Sequence, residues 1–268
     1  MKWLFKMAIF AIWSCPIFCE LPDFIIIGAQ KGGTTSLFSY IAEHPNVATK
    51  VKEMHFFDVH YKKGIEWYKT RFPSKTNKKF LVGEATPSYL FHTDVPRKVA
   101  RHCPNVKLII LLRNPIERAF SAYKMHVRAN REKRSLEKVI QDELLFLKSG
   151  DPSIKKEALE SDYILSRGVY LPQIQRWMRF FKKEQILIIR SEDFFQNVQK
   201  TMKLIYKFLQ IPNHALGTYK IRNKSKSKTK MPEETKRLLK QFYKPYNEAL
   251  QNYLTNELKL DIRLNWDR

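Results

Sequence analysis

The glycine-rich stretch from Gly28 to Ser36 has the residue types of a phosphate-binding loop. Its sequence, Gly-Ala-Gln-Lys-Gly-Gly-Thr-Thr-Ser, follows a short apolar run at 24–27. The glycines permit a sharp turn, and the hydroxyl residues can cap a following helix. Such a turn presents free backbone N–H groups at the positive end of a helix, which attracts anions. The candidate ligands of the phosphate are Lys31, Gly32, Gly33, Thr34, Thr35 and Ser36.

The order of residues in this loop differs from that of ATPases and kinases. Their pattern places a lysine directly after the second glycine of Gly-x-x-x-x-Gly, but here Thr34 follows Gly33 and the lysine is Lys31. A kinase needs its lysine at the β- and γ-phosphates and a hydroxyl on Mg²⁺. The sequence therefore favours a different nucleotide held without metal. A nucleotide kinase using ATP and Mg²⁺ stays open as an alternative.

A second group of reactive side chains lies at 52–58, where Lys52, Glu53, His55 and Asp58 surround two phenylalanines. Beside an anion site, a carboxylate next to a lysine and a histidine has what is needed to take a proton from a hydroxyl or an amine. The alternative is an ordinary solvated charge cluster on a surface loop.

A third candidate is the pair Arg113 and Ser121. Arg113 directly follows the clearest buried strand, 106–112, and Ser121 lies eight residues later, about two turns into the next helix. Both side chains can then contact one anion.

The elements that position these residues follow from four apolar runs, at 24–27, 80–83, 106–112 and 185–190, which alternate with helical segments. This order predicts an α/β fold, a single P-loop-like domain with a central parallel β-sheet flanked by helices. The candidate residues follow the carboxyl ends of the strands, where open α/β sheets bind ligands. With 268 residues, one domain suffices, and we assign it to 21–268.

Together and in this order, the three motifs resemble those of the sulfotransferase superfamily, which uses 3′-phosphoadenosine 5′-phosphosulfate (PAPS). The loop at 31–36 is similar to the family's Lys-Gly-x-Thr-[Thr/Ser] loop for the 5′-phosphosulfate, and 113–121 is similar to its element for the 3′-phosphate. The segment 52–58 resembles the Lys-Glu-x-x-Phe-Phe motif of heparan sulfate sulfotransferases. It is most similar to the glucosaminyl 3-O-sulfotransferase branch, with Met54 in place of a proline.

The resemblance implies an enzyme that transfers a sulfuryl group from PAPS to a hydroxyl, or less readily an amine, of an acidic glycan, leaving the product PAP. Glu53 is then the general base, with Lys31 and His55 as further catalytic residues. Where the family often has a lysine, this chain has Ala85, so one positive charge near the transferred group is missing. The remaining residues that the resemblance implies are Arg113, Ser121, Lys226 and Lys228 for the nucleotide and Lys52 and Asp58 for the acceptor.

Composition adds that the partner is a polyanion. The chain has 49 Lys and Arg against 26 Asp and Glu, a net charge of +23, and such a field draws in acidic polymers. An acidic glycan fits, and we expect no nucleic acid. A protein that binds polyanions without catalysis is the third hypothesis. No CxxC pair or Cys/His cluster indicates a metal site.

The first twenty residues, 1–20, predict a signal peptide or a membrane anchor. Lys2 and Lys6 precede an apolar run of about a dozen residues, which is short for a membrane span. A cleaved secretory signal is favoured, with an uncleaved anchor next. The expected location is the secretory pathway, in the Golgi membrane or lumen or secreted; in a bacterium the protein would be cytosolic.

Overall fold

A computed structural model describes residues 21–49, 51–73, 80–149, 163–220, 222 and 229–266. Its centre is a parallel sheet of four strands: β1 (Phe24–Gly28), β2 (Gly83–Ala85), β3 (Lys107–Leu112) and β4 (Ile186–Arg190). The strand order is β2-β1-β3-β4, and every neighbouring pair is parallel. The predicted α/β fold is confirmed.

Helices connect and cover these strands. The α-helices are α1 (Thr34–Ala42), α2 (Gly64–Lys69), α3 (Val95–His102), α4 (Pro115–Arg128), α5 (Leu136–Ser149), α6 (Tyr170–Met178), α7 (Ser191–Gln196), α8 (Val198–Leu209) and α9 (Glu233–Asn252). Short π-helical turns occupy Phe56–His60 and Tyr253–Glu257. Three 3-10 turns lie at Tyr61–Lys63, Ser166–Gly168 and Lys183–Gln185.

The core has two main layers because β1 and β3 are buried on both faces. Phe24 and Ile26 join α1 and α8 in one apolar cluster, whereas Ile25 and Ile27 face the cluster that contains α3, α6 and the segment after α9. Trp266 packs into the second cluster. Both faces of the sheet are therefore covered, and its carboxyl edge is left for ligands.

The second strand begins later than the sequence predicted, at Gly83 instead of residue 80. Leu81 exchanges backbone hydrogen bonds of 2.8 Å with Asn46 and Ala48, outside the sheet. The strand therefore begins only after this pairing, and its residues Glu84 and Ala85 pair with Ile25 and Ile26 of β1.

Within the described ranges, no helix has both the length and the apolar character to cross a bilayer. The predicted signal or anchor at 1–20 lies outside those ranges and stays a prediction.

Candidate active site

The loop after β1 is a tight turn that only glycines can form. Gly33 has φ +99°, and a Cβ there would lie 2.7 Å from the Phe195 ring. A Cβ on Gly32 would lie 2.7 Å from the carbonyl oxygen of Leu111. The same oxygen accepts a hydrogen bond of 2.9 Å from the amide of Ala29. The loop is thus pressed against β3 and leads directly into α1. The amides of Ser36 and Leu37 donate to the carbonyl oxygen of Gly33 at 3.0 and 3.2 Å, so the helix begins directly at the loop.

Lys31 occupies the centre of a positively charged cluster. It has a left-handed backbone, φ 70°, and its Nζ lies 3.5 Å from the Met125 sulfur. Burial lowers the pKa of Lys31, nearby cations lower it further, and the charge of Glu53 partly opposes them. A cluster with this excess of positive charge suits a ligand with several negative charges. The cations that act on Lys31 are Arg128, Arg113 and Arg118.

Arg113 joins the phosphate loop to α4. Its Nη1 donates to the carbonyl oxygen of Lys31 at 3.1 Å, and its Nη2 lies 3.7 Å from Glu117. The Tyr170 hydroxyl donates to the Arg113 carbonyl oxygen at 2.8 Å, which fixes the backbone. Ser121 lies half-buried two turns along α4. Both predicted ligands of the 3′-phosphate thus follow β3, beside the loop.

Glu53 lies at the carboxyl end of β2, where its amide donates to the carbonyl oxygen of Ala85 at 2.9 Å. Its side chain is 48% exposed and forms an ion pair with Lys52. Because β1 and β2 are parallel, Glu53 and the loop after β1 lie at the same edge of the sheet. The charge of Glu53 also raises the pKa of Lys31 slightly against the other causes. Ala85, which stands where the family often has a lysine, is fully buried among apolar side chains. The positive charge beside the Glu53 carboxylate comes from Lys52 instead.

His55 and Asp58 form a hydrogen-bonded pair next to Glu53. The Nδ1 of His55 lies 2.9 Å from Asp58 Oδ2, and the Ser88 hydroxyl donates to the same oxygen at 2.6 Å. The hydrogen bond to Asp58 raises the pKa of His55 despite partial burial, and the charges of Asp58, Glu53 and Glu84 add to it. Burial of Asp58 opposes its ionisation, but the bonds from His55 and Ser88 outweigh it and lower the pKa.

Several predicted residues have positions that the sequence did not indicate. The Asp58 side chain is only 4% exposed, so it faces His55 and not the solvent. Ser36 is fully buried, and its hydroxyl oxygen accepts a hydrogen bond of 2.9 Å from the amide of Arg222. Lys226 and Lys228 lie outside the described residues, so their assignment to the nucleotide stays a prediction.

Two pockets differ in their relation to this site. One, of about 430 Å³, opens between α1 and the side chains of Thr49 and Lys52, with Thr35 also in its lining. It therefore lies beside the first turn of α1 and the neighbour of Glu53. The other, of about 360 Å³, is lined by Asp23 and Val106, which precede β1 and β3, and so lies at the opposite edge of the sheet.

Sequence reasoning missed Glu84, Ser88 and Tyr170 as parts of the site. Tyr170 is buried, and its hydroxyl holds the backbone of Arg113. Glu84 lies within β2 and Ser88 follows that strand. For Glu84, a polar residue inside an apolar strand was the available signal. Among the described side chains, no group of three or more His, Cys, Asp or Glu could hold a metal ion.

Comparison with known families agrees with this geometry. The sequence model of the family described as "Sulfotransferase domain" matches residues 21–262. The chain belongs to the sulfotransferase family. As a sulfotransferase it is an enzyme, and the resemblance noted in its motifs is confirmed.

Individual sulfotransferases are similar over most of the chain. The crystal structure of a sulfotransferase from Alicyclobacillus acidocaldarius superposes with a TM-score of 0.74 at 25% identity and covers 93% of this chain and 100% of its own. The bifunctional heparan sulfate N-deacetylase/N-sulfotransferase 1 of Caenorhabditis briggsae is 30% identical over 75% of this chain and 24% of its own length. The membrane-associated sulfotransferase kil1 of Dictyostelium discoideum is 28% identical over 89% of this chain.

A third relative, the mouse heparan sulfate glucosamine 3-O-sulfotransferase 5, is 29% identical over 72% of this chain. The chain spans about a quarter of the length of the bifunctional enzyme and 54% to 66% of the other two proteins.

Proposed function

We propose that this sulfotransferase uses PAPS and sulfates a hydroxyl, or less readily an amine, of an acidic glycan of the heparan sulfate type. The observation that carries the proposal is that Glu53, a partly exposed carboxylate, lies at the same carboxyl edge of the sheet as the loop of Lys31 and its partner Arg113. A site that combines a base with a polyanion cradle serves transfer from a charged donor to a neutral nucleophile. The names of the relatives support the acceptor class.

The residues present fit PAPS. The glycines of the phosphate loop stand where a side chain would not fit. This loop, together with Lys31, would hold the 5′-phosphosulfate. Arg113 and Ser121 would hold the 3′-phosphate from the next strand. When bound, PAPS supplies an activated sulfuryl group. The excess of positive charge around Lys31 would be balanced by the charges of the nucleotide.

Each side chain then has a defined task in the transfer. Glu53 takes the proton of the acceptor hydroxyl as the new bond from oxygen to sulfur forms. Lys31 and the loop amides stabilise the negative charge left on the phosphate oxygen as its bond to sulfur breaks. Lys52 balances the charge of Glu53 before the acceptor arrives. His55, held by Asp58, adds a positive charge beside the acceptor.

The N-terminal segment supports a proposal for the location of the enzyme. A secretory signal or anchor at 1–20 would deliver the enzyme to a compartment that contains glycans, and one of the relatives is membrane-associated by name. This supports the secretory pathway.

The test is transfer of labelled sulfate from PAPS to an array of glycans that includes desulfated heparan sulfate and neutral polysaccharides. We expect label in the acidic glycans, and none with Glu53→Gln. Thermal stabilisation by PAP, compared with ATP and Mg²⁺, separates this function from a nucleotide kinase. Binding to heparin without transfer to any acceptor would instead favour a non-catalytic polyanion-binding protein and overturn the proposal.

A further inference from the structure

The buried carboxylate of Glu84 is the centre of a hydrogen-bond network under the candidate base. Glu84 lies in the middle of β2 and is fully buried. Its Oε1 accepts from the hydroxyls of Tyr68 at 2.6 Å and Tyr89 at 3.2 Å, and its Oε2 accepts from the Thr86 hydroxyl at 2.5 Å. Burial raises the pKa of Glu84, and these hydrogen bonds oppose that shift. The three hydroxyls occupy three of the roughly four acceptor sites of the carboxylate.

These donors do not merely satisfy a buried charge, because they connect it to the segment that carries Glu53. Glu53 and His55 have left-handed backbones, with φ of 59° and 49°, and Met54 lies between them. Residues with a Cβ adopt this conformation only when their surroundings impose it. The hydroxyls that bond to Glu84 also contact the amides of this segment and are among the surroundings that impose its conformation.

The neighbouring amides are fixed through residues that Glu84 itself orients. The Thr86 hydroxyl donates to Glu84 and accepts from the amide of His55 at 3.4 Å. The Tyr89 hydroxyl donates to Glu84 and accepts from the amide of Phe57 at 3.2 Å. Glu84 thus restrains two amides of the segment 53–57, those of His55 and Phe57, through hydroxyls.

We propose that Glu84 is a positioning residue, whose buried carboxylate holds the segment 53–57 in the conformation that turns Glu53 toward the phosphate loop. This inference rests on the proposed function, in which Glu53 is the general base. It predicts that the carboxylate of Glu84 affects the chemical step and leaves binding of the nucleotide unchanged, because none of its partners belongs to the phosphate loop.

The alternative is that Glu84 only stabilises the fold. A purely structural residue would, when changed, lower the stability of the whole domain and reduce nucleotide binding and turnover together. The two roles are therefore separated by comparing kcat with the affinity for PAP, and by local amide exchange.

The experiment uses Glu84→Gln in the full chain. A glutamine keeps the size of the side chain, but its NH₂ group cannot accept hydrogen bonds from the hydroxyls. We expect kcat to fall at least tenfold, the dissociation constant of PAP to stay within twofold of wild type, and hydrogen exchange to accelerate selectively in 53–57. The matched control is Glu66→Gln, an exposed glutamate paired with Lys69, which should leave all three unchanged.

The inference is overturned if Glu84→Gln keeps wild-type kcat and wild-type exchange in 53–57, or if exchange accelerates equally throughout the domain while PAP binding is lost. Should Glu84→Gln not fold, Tyr89→Phe keeps the carboxylate and removes the acceptor for the Phe57 amide, and it should give the same selective exchange with a smaller loss of kcat. Exchange in 53–57 does not depend on turnover. It therefore tests the network even if Glu53→Gln shows that Glu53 is not the base.

Discussion

The guanidinium of Arg113 donates a hydrogen bond to the backbone carbonyl oxygen of Lys31, so the residue that follows β3 fixes the conformation of the loop that follows β1. The two candidate phosphate sites are therefore directly connected by this hydrogen bond. A change at Arg113 removes a ligand and loosens the loop at the same time.

Arg113→Ala should weaken binding of PAP more than a change at any other predicted ligand of the nucleotide. Loss of a charge-assisted hydrogen bond costs roughly 1.5–3 kcal/mol, which is about a 10- to 100-fold increase in the dissociation constant. Titration calorimetry with PAP measures it. Lys240→Ala, an exposed cation on α9, is the control for loss of charge alone. Equal affinities of Arg113→Ala and wild type would contradict the assignment.

Glu53→Gln should remove turnover and keep the nucleotide site. General-base catalysis contributes about 10²–10⁴-fold, so kcat should fall by that factor. The PAP dissociation constant should change little, because Glu53 opposes the cationic cluster only from its edge. Single-turnover transfer of labelled sulfate measures the step. A variant that retains more than a tenth of the wild-type rate would exclude Glu53 as the base.

Gly33→Ala should destabilise the domain, since a methyl group there meets Phe195 and the backbone has φ +99°. The backbone conformation alone costs on the order of 1–3 kcal/mol. Two further glycines separate the causes. Gly64→Ala has φ +80° and open space, and Gly217→Ala has open space without a positive φ. Urea unfolding should rank the loss of stability as Gly33, then Gly64, then Gly217; a loss at Gly33 no larger than at Gly64 would show that Phe195 adapts.

The pair of His55 and Asp58 should make stability depend on pH. The bond to Asp58 raises the pKa of His55 above its ordinary 6.5, so its contribution is fully present below pH 6.5 and is lost as the pH rises through the raised value. The lowered pKa of Asp58 means that its contribution is present above its ordinary 3.8 and is lost as the pH falls through the lowered value.

The measurement is the difference in unfolding free energy between wild type and His55→Gln at a series of pH values from 5 to 9. The difference should shrink as the pH increases, because only wild type loses the charged bond. A difference that stays constant over this range would show that the pair does not titrate in the folded protein.

The sequence was sufficient for the fold class and for the family, since glycine spacing, strand apolarity and charged residues at strand ends are local signals. The position of β2 was not predictable in this way, because Leu81 pairs with Asn46 and Ala48, and such pairing is invisible to periodicity. The roles of Ser36 and Asp58 depended on partners distant in the chain, Arg222 and Ser88. Residue type predicted that these side chains were polar, but not which way they faced.

The strand order β2-β1-β3-β4 has a consequence for how this enzyme can diversify. The segment that carries Glu53 adjoins β2 on one side of the phosphate loop, and Arg113 follows β3 on the other. In the proposed mechanism, insertions or substitutions beside β2 would therefore alter which molecule is modified, and recognition of the donor would stay unchanged. Selection can then act separately on the segment beside β2 and on the segment after β3, because β1 lies between them.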